Sequence, residues 1–351
     1  MSTEQESHAP GPDAVRVVHY WKGELSENRE ATIQQYRELL GVQGTTWFDF
    51  PSGYSTRALE TLAEALTDRH LALFEGPRLN GMIRLESYDN CALVVLPRSQ
   101  FFDSGDNRAP LLLVGSNWMI SSGWPRATCL AGVQDRLQRG EFLRARGPDF
   151  LAYAVLQQAL SSLLPEVERL SGELQAIEEE PPSPAALERL HATRQGISHL
   201  RHAVVPLRDA AAGLARELQG SASAEARQAL RDLYEVAEAP LEDLDELHAT
   251  TATIIDISLS TVSFRTNEVM RVLTIISTIF LPMSFITSYL GMNVEVPLAQ
   301  WRYGYPFAWC LMIASAGIMF GYFKHKGWLG PPLLPRHRAR PPHAKARKAL
   351  H

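Results

Sequence analysis

Between positions 256 and 288, side chains that hydrogen-bond water or hydrated cations recur at helical spacing. Steps of three and four residues join Asp256, Ser260, Ser263, Asn267, Met270, Thr274, Ser277, Leu281, Ser284 and Ser288. All but Met270 and Leu281 are hydroxyl, amide or carboxylate residues. On an α-helix such a series forms one face. The other faces of the same stretch carry Ile275, Ile276, Ile279, Phe280, Phe285 and Ile286. A polar stripe among apolar residues faces either water or a second, closely packed helix. The register continues out of the apolar stretch through Asn267 and Ser263 to Asp256, where a polar seam would make a poor coiled-coil core. That continuation favours the wall of a water-filled path. Met270 and Leu273 at one end of the apolar stretch, and Leu281 within it, could close such a path by dewetting. Pro282 takes the helical partner from the Thr278 carbonyl, which then faces a wet cavity or marks a packing kink.

The elements that must position this stripe follow from length and charge. Val272–Leu290 and Tyr303–Phe323 are uncharged runs of 19 and 21 residues. At ~1.5 Å per residue they reach about 28 and 31 Å, matching a hydrocarbon core of ~30 Å. A 12-residue loop, 291–302, joins them. From Arg271 onward lie ten of the 34 Lys/Arg and one of the 39 acids, Glu295, a net of +9; the preceding 270 residues therefore carry 24 against 38, a net of −14. An acidic body with a basic end points to a membrane or nucleic-acid partner, and two spans decide for the membrane. Arg265 and Arg271 precede the first span, while Lys324, Lys326, Arg336, Arg338 and Arg340 follow the second; the loop has Arg302 alone. The expectation is an inner-membrane protein with both termini cytoplasmic. The basic tail 324–351 is expected to lie near anionic lipid, its end Pro331–His351 disordered.

Upstream of the spans the composition is that of a soluble protein. Residues 1–13 are polar, with no apolar leader core, and are expected to be disordered. Residues 14–147 read as a mixed α/β cytoplasmic domain. Strands are expected over 15–20, 45–50, 81–85, 91–96 and 111–116, and helices over 56–66 and 130–138. An acidic helical hairpin follows over 148–220, with helices 150–180 and 184–218. A stalk helix over 221–290 then enters the first span, with an interruption expected at Pro240. Glu225–Asp256 holds nine acids (Glu225, Asp232, Glu235, Glu238, Glu242, Asp243, Asp245, Glu246 and Asp256) against two arginines, a surface that attracts cations. Cys91, Cys129 and Cys310 lie far apart and suggest three free thiols. His191, His199 and His202 share one helix and read as a solvated face. No Walker loop, Gly-rich dinucleotide turn or paired His ligand set is present, so no enzyme and no organic cofactor are expected.

The first span ends in Tyr289-Leu290-Gly291-Met292-Asn293. With Thr266-Asn267-Glu268-Val269-Met270, Leu273-Thr274-Ile275-Ile276, Ile279-Phe280-Leu281-Pro282, Tyr303-Gly304-Tyr305-Pro306 and Lys326-Gly327-Trp328-Leu329, it resembles the CorA family of divalent-cation transporters. Thr46-Trp47-Phe48-Asp49 resembles that family's early Trp-x-Asp strand, and Gly147-Pro148-Asp149-Phe150-Leu151 the start of its helical hairpin. The resemblance implies an α+β cytoplasmic domain, a long helical stalk and two transmembrane helices, assembled as a homopentameric funnel. It implies a Mg²⁺ channel driven by membrane potential, admitting also Co²⁺ or Ni²⁺ and closed by internal Mg²⁺. Gly291, Met292 and Asn293 would shape the outer mouth, with Glu295 the one acid of the loop. Asn267, Met270, Leu273, Thr274, Ser277, Leu281, Ser284 and Ser288 would line the pore. Asp232 would bind a regulatory divalent cation with Asp89 as the partner; Asp256 would belong to the same cytoplasmic metal-binding set. Two alternatives stand beside this: a ZntB-like zinc transporter on the same scaffold, and a membrane-anchored cation sensor that transports nothing. Against zinc, no His lies between His248 and His325, and stripping zinc's water calls for imidazole or thiolate.

Overall fold

The structure is a computed structural model that describes residues 15–21, 24–28, 43–50, 56–67, 83–88, 91–102, 109–218, 222–292 and 303–329. Residues 1–13 and 330–351 of the expected tails, as well as Asp89, Asn293 and Glu295, lie outside the described residues. The chain divides into two units, Met1–Ile255 and Asp256–His351.

The first unit is built on a seven-stranded sheet: β1 Arg16–Trp21, β2 Glu24–Asn28, β3 Thr45–Phe50, β4 Arg84–Tyr88, β5 Cys91–Val95, β6 Leu111–Gly115 and β7 Trp118–Ser122. Its order is β2-β1-β3-β7-β6-β5-β4. Only the central pair, β3 and β7, runs parallel, Phe48 opposite Ile120; the other pairings are antiparallel. Alternation along each strand sends side chains to opposite faces. Val18, Tyr20, Trp47, Val94, Leu112, Val114 and Met119 join one core with the long helices. Val17, Phe48, Phe50, Leu93, Val95, Leu111, Leu113 and Ile120 join a second with Leu59, Leu62 and Ala63 of α1, Thr56–Thr67. Burial on both faces explains why β5 and β6 read as unbroken apolar runs.

Two strands were not expected from sequence, β2 and β7, and β4 lies three residues beyond its expected start at Gly81. The β6–β7 hairpin depends on Gly115. A Cβ there would sit 2.2 Å from the Trp118 ring, so glycine lets the indole fold back over the turn. After β7, a π-turn at Arg126–Leu130 leads into α2, Ala131–Arg139, and the short α3, Glu141–Arg144.

Two long helices form the hairpin, α4 Pro148–Glu179 and α5 Pro184–Glu217. Pro148 and Pro184 occupy first-turn positions that lack a helical acceptor anyway, and the Ser183 hydroxyl caps α5 by accepting from Ala186 N at 3.1 Å. Leu160, Leu163, Val167 and Leu170 of α4 share a core with Ile197, Leu200, Val204 and Leu207 of α5.

Helix α6, Ala224–Leu290, is 67 residues long and continuous. The expected interruption at Pro240 is not there. Proline in a helix interior costs about 3 kcal/mol. Pro240 is itself buried, between Ala237 and Leu241 of the same packed stripe, so burial on this face offsets the missing hydrogen bond. Helix α7 spans Gly304–His325. The apolar part of α6 and all of α7 are long and apolar enough to cross a membrane, with little of either covered inside the chain.

Candidate functional site

In the C-terminal unit, covered and uncovered positions sort by face. From Glu268 onward the half-buried residues of α6 are Glu268, Arg271, Ile275, Thr278, Ile279, Pro282, Met283, Ile286 and Leu290, at three/four spacing. The more covered positions of α7, Gly304, Ala308, Met312, Ser315, Ala316, Met319 and Phe323, form a matching stripe. Two such stripes are what a packed pair of helices buries. The covered side of α6 keeps its one ion pair local: Arg271 binds Glu268 at 2.7 Å.

The sequence-predicted stripe lies on the other side of the helix. Asn267, Met270, Leu273, Thr274, Ser277, Leu281, Ser284 and Ser288 are all exposed, Met270 at 60 % and Leu281 at 72 %. Asp256, Ser260 and Ser263 extend the same uncovered face. At about 100° per residue the centres of the two stripes fall on opposite sides of α6. Between them lie two exposed apolar flanks, one with Val269, Ile276 and Phe280, the other with Phe285 and Tyr289. The polar stripe therefore takes no part in packing within the protomer. Pro282 lies on the covered side.

The Thr274 hydroxyl donates to the Met270 carbonyl at 2.7 Å. Its proton is thus used within the helix, and its oxygen offers lone pairs outward, where a hydrated cation's waters can donate. At the far end the helix stops at Leu290, and Gly291 N closes the last turn on the Thr287 carbonyl at 3.0 Å. Gly291 and Met292 make the turn into the loop, and Met292 is exposed.

Aromatic residues bracket both ends of the apolar pair, a pattern that the sequence reading did not use. Tyr289, Tyr303, Tyr305 and Trp309 lie toward the loop, and Tyr322 and Trp328 at the opposite end of α7. Phe323 stacks on Trp328 with ring centroids 5.6 Å apart. Tyr and Trp at both ends of an apolar span are the signature of membrane interfaces, and their positions alone would have revealed it.

The acids of Glu225–Asp256 behave less uniformly than their count suggests. Arg146 binds Glu225 at 2.7 Å, Arg208 binds Glu238 at 3.2 Å and Arg201 binds Asp245 at 2.9 Å. These arginines come from outside α6, so a charge tally along one helix missed them. Asp232 is exposed and accepts from the Gln228 side chain at 2.6 Å. Asp256 lies 24 positions further along the same helix, too far to share a cation with Asp232 within one chain. Among the described residues no three His, Cys, Asp or Glu side chains converge as a metal site. His191, His199 and His202 are exposed, and the three cysteines are free thiols.

The Trp-x-Asp strand is a buried polar relay. Trp47 Nε1 donates to Ser121 Oγ at 2.9 Å, and Ser121 Oγ donates to Asp49 Oδ1 at 2.9 Å. Burial pushes the Asp49 carboxyl up from 3.8 to about 6, against the pull of the Ser121 hydrogen bond and of Arg126 and Arg16. Arg16 in turn pairs with Glu27 and donates to Gln134.

Residues 42–325 match the profile of the family described as "CorA-like Mg2+ transporter protein". The chain belongs to this CorA-like family. It is 26% identical over 324 residues to the cobalt/magnesium transport protein CorA of Thermotoga maritima, covering 90% of this chain and 92% of that one. Over 69 residues it is 44% identical to the magnesium transport protein CorA of Haemophilus ducreyi, covering 19% and 22%. The complete CorA magnesium transporter of Methanocaldococcus jannaschii has the same fold, with a TM-score of 0.72 at 20% identity over 90% of this chain and 99% of that one. The ZntB cytoplasmic domain of Vibrio parahaemolyticus is a more distant match, TM-score 0.55 at 9% identity, covering 72% and 99%. The CorA-like architecture here is thus an α/β domain, a long helix and two C-terminal candidate membrane helices, in a family of transporters rather than enzymes.

Proposed function

We propose that this CorA-like Mg²⁺ transporter works as a homopentameric channel of the inner membrane, with both termini in the cytoplasm. The polar stripe of α6 lines its path, and the protein admits Mg²⁺ and, less selectively, Co²⁺ or Ni²⁺. The observation that carries this reading is the opposition of the two stripes on α6. A single hairpin cannot enclose a path. A ring of copies can, if the covered stripe with α7 turns outward, the apolar flanks meet neighbouring copies and the polar stripe turns inward. Met270, Leu273 and Leu281 would then form apolar rings that close the path, and Asn267, Thr274, Ser277, Ser284 and Ser288 its wetted walls. Hydroxyls and amides suit Mg²⁺, which gives up its waters reluctantly. Two charges moving through 100 mV gain about 4.6 kcal/mol, enough to drive uptake without ATP. Gly291, Met292, Asn293 and Glu295 would form the outer mouth. Asp232, with Asp89 from the α/β domain, would bind an internal Mg²⁺ that holds the channel closed, and Asp256, further along the stalk, would belong to a separate cation site.

Cysteine accessibility tests the stripe. Cys at Ser277 or Ser284 should react with small water-soluble thiol reagents in the open channel and block isotope uptake. Cys at Ile275 or Ile279, on the covered side, should stay unreactive. Equal, slow labelling at all four sites, with oligomer loss for the serine variants alone, would make the stripe a packing seam between copies. A comparison of Mg²⁺, Co²⁺, Ni²⁺ and Zn²⁺ uptake in the same vesicles separates the zinc reading.

A further inference from the structure

The pore-bearing helix α6 begins at a joint held by one carboxylate. Asp149, in the first turn of α4, is buried. Its Oδ1 accepts from Phe150 N at 2.8 Å. Its Oδ2 accepts from Ser223 N at 2.7 Å and from Ser223 Oγ at 2.9 Å. Ser223 Oγ in turn accepts from Ala226 N at 3.1 Å, which makes it the cap of α6. One amide in the first turn of each helix is thus satisfied by a linked pair of side chains, Phe150 N by Asp149 and Ala226 N by Ser223, which itself binds Asp149, and the partial positive charge of both helix ends favours an anion there. Gly147 makes room for it: a Cβ at that position would lie 2.7 Å from Asp149 Oδ1. A cavity of about 180 Å³ adjoins the joint, lined in part by Gly115, Ser116 and Ala222. On that side small residues and open space leave the hydrogen bonds to hold the start of α6, while Ala226 anchors the opposite side in the core. A further tie is the Arg146–Glu225 pair, which is exposed on the Glu225 side and correspondingly weak.

We infer that Asp149 is a positioning residue that latches the first turn of α6 to the start of α4, so that the state of the cytoplasmic unit is passed into the helix that carries the conduction path. The inference rests on the proposed closure by internal Mg²⁺. A latch at the N-terminal end matters because α6 is unbroken from Ala224 to Leu290. A shift or rotation imposed at its first turn has no internal break at which to be lost.

The test uses the full chain in proteoliposomes, with uptake of Mg²⁺ read against internal Mg²⁺ concentration. Asp149→Asn and Ser223→Ala each weaken the latch. Ser183→Ala removes an equivalent hydroxyl cap from α5, which carries no part of the conduction path. Each latch variant is expected to raise the internal Mg²⁺ needed for half-closure by about fivefold, the factor one net hydrogen bond supplies. Amide exchange should quicken at residues 224–228 in both. Ser183→Ala is expected to lose a similar amount of thermal stability and keep the wild-type half-closure value. An unchanged value in the latch variants, or an equal shift in Ser183→Ala, overturns the inference. If the wild type is not closed by internal Mg²⁺ at all, the gating reading falls. The latch is then judged on uptake rate: rates altered in the latch variants but not in Ser183→Ala sustain it, and equal rates overturn it.

Discussion

Helix α6 passes through two environments, and its two halves obey opposite rules. From Ala226 to Leu244 it buries Ala226, Leu230, Leu233, Ala237, Leu241 and Leu244 at three/four spacing and turns its acids outward. Beyond Asp256 it buries almost nothing. Leu273, Phe280, Leu281 and Phe285 are exposed, Phe285 at 70 %. In water, exposed apolar area costs about 25 cal/mol per Å², so a surface of this size is stable only where lipid or other copies cover it. The first half is amphipathic toward a protein core. The second is amphipathic in the reverse sense, with its polar stripe facing away from the partner helix. A leucine on the first half is thus a folding residue, and Leu273 or Leu281 on the second is one that the fold leaves uncovered.

The harshest way to break this contrast acts at the end of the second half. Asn293→Ala is expected to abolish Mg²⁺ uptake while leaving the assembled oligomer intact, because the loop offers no other neutral amide carbonyl beside the Gly291 turn. Isotope uptake and cross-linking read the two properties separately, and wild-type rates would remove Asn293 from the mouth.

A matched pair of leucines sharpens it. Leu230→Ala, at a fully buried site, should cost the N-terminal domain roughly 2–5 kcal/mol of stability, as such truncations do. Leu281→Ala should leave thermal unfolding of that domain unchanged and increase leak at high internal Mg²⁺, since it thins an apolar ring. Equal destabilisation by both would mean that Leu281 packs in a core.

Asp232→Ala probes whether the first half senses the ion that the second half carries. The variant should conduct at internal Mg²⁺ that silences the wild type, by a several-fold shift, and should lose Mg²⁺ protection against proteolysis. An unchanged inhibition curve places the regulatory site elsewhere.

The smallest effect concerns the domain alone. The carboxyl of Asp49 is held at about 6 in the fold against an ordinary 3.8. The folded state therefore binds more protons than the unfolded state between these values, and this contribution to stability is present below pH 4 and lost as pH rises through 6. Asp49→Asn removes that dependence. The melting temperature of the variant relative to wild type should rise from pH 4 to pH 7, with no change in uptake at a fixed pH. A constant difference across this range would mean that Asp49 titrates normally.

Much of this was legible in the sequence because it is local. Nineteen uncharged residues announce a span, and the Gly291-Met292-Asn293 turn with its long flanking segments announces the family. The polar stripe was visible because helical period is a property of consecutive residues. The strand β7 was not, because its place at the centre of the sheet comes from parallel pairing with β3, some seventy positions away. The arginines that neutralise Glu225, Glu238 and Asp245 were invisible for the same reason, coming from segments distant in sequence. Pro240 misled because a local rule was outweighed by burial on a packed face. Ile275 and Ile276 show the boundary most sharply. They are neighbours with the same side chain, yet Ile275 is half-buried and Ile276 is 51 % exposed. The sequence by itself determined that both are apolar residues of a membrane-length helix. Only the tertiary structure decided which one is covered, because turning by about 100° per residue puts them on different sides, and only packing supplies the cover.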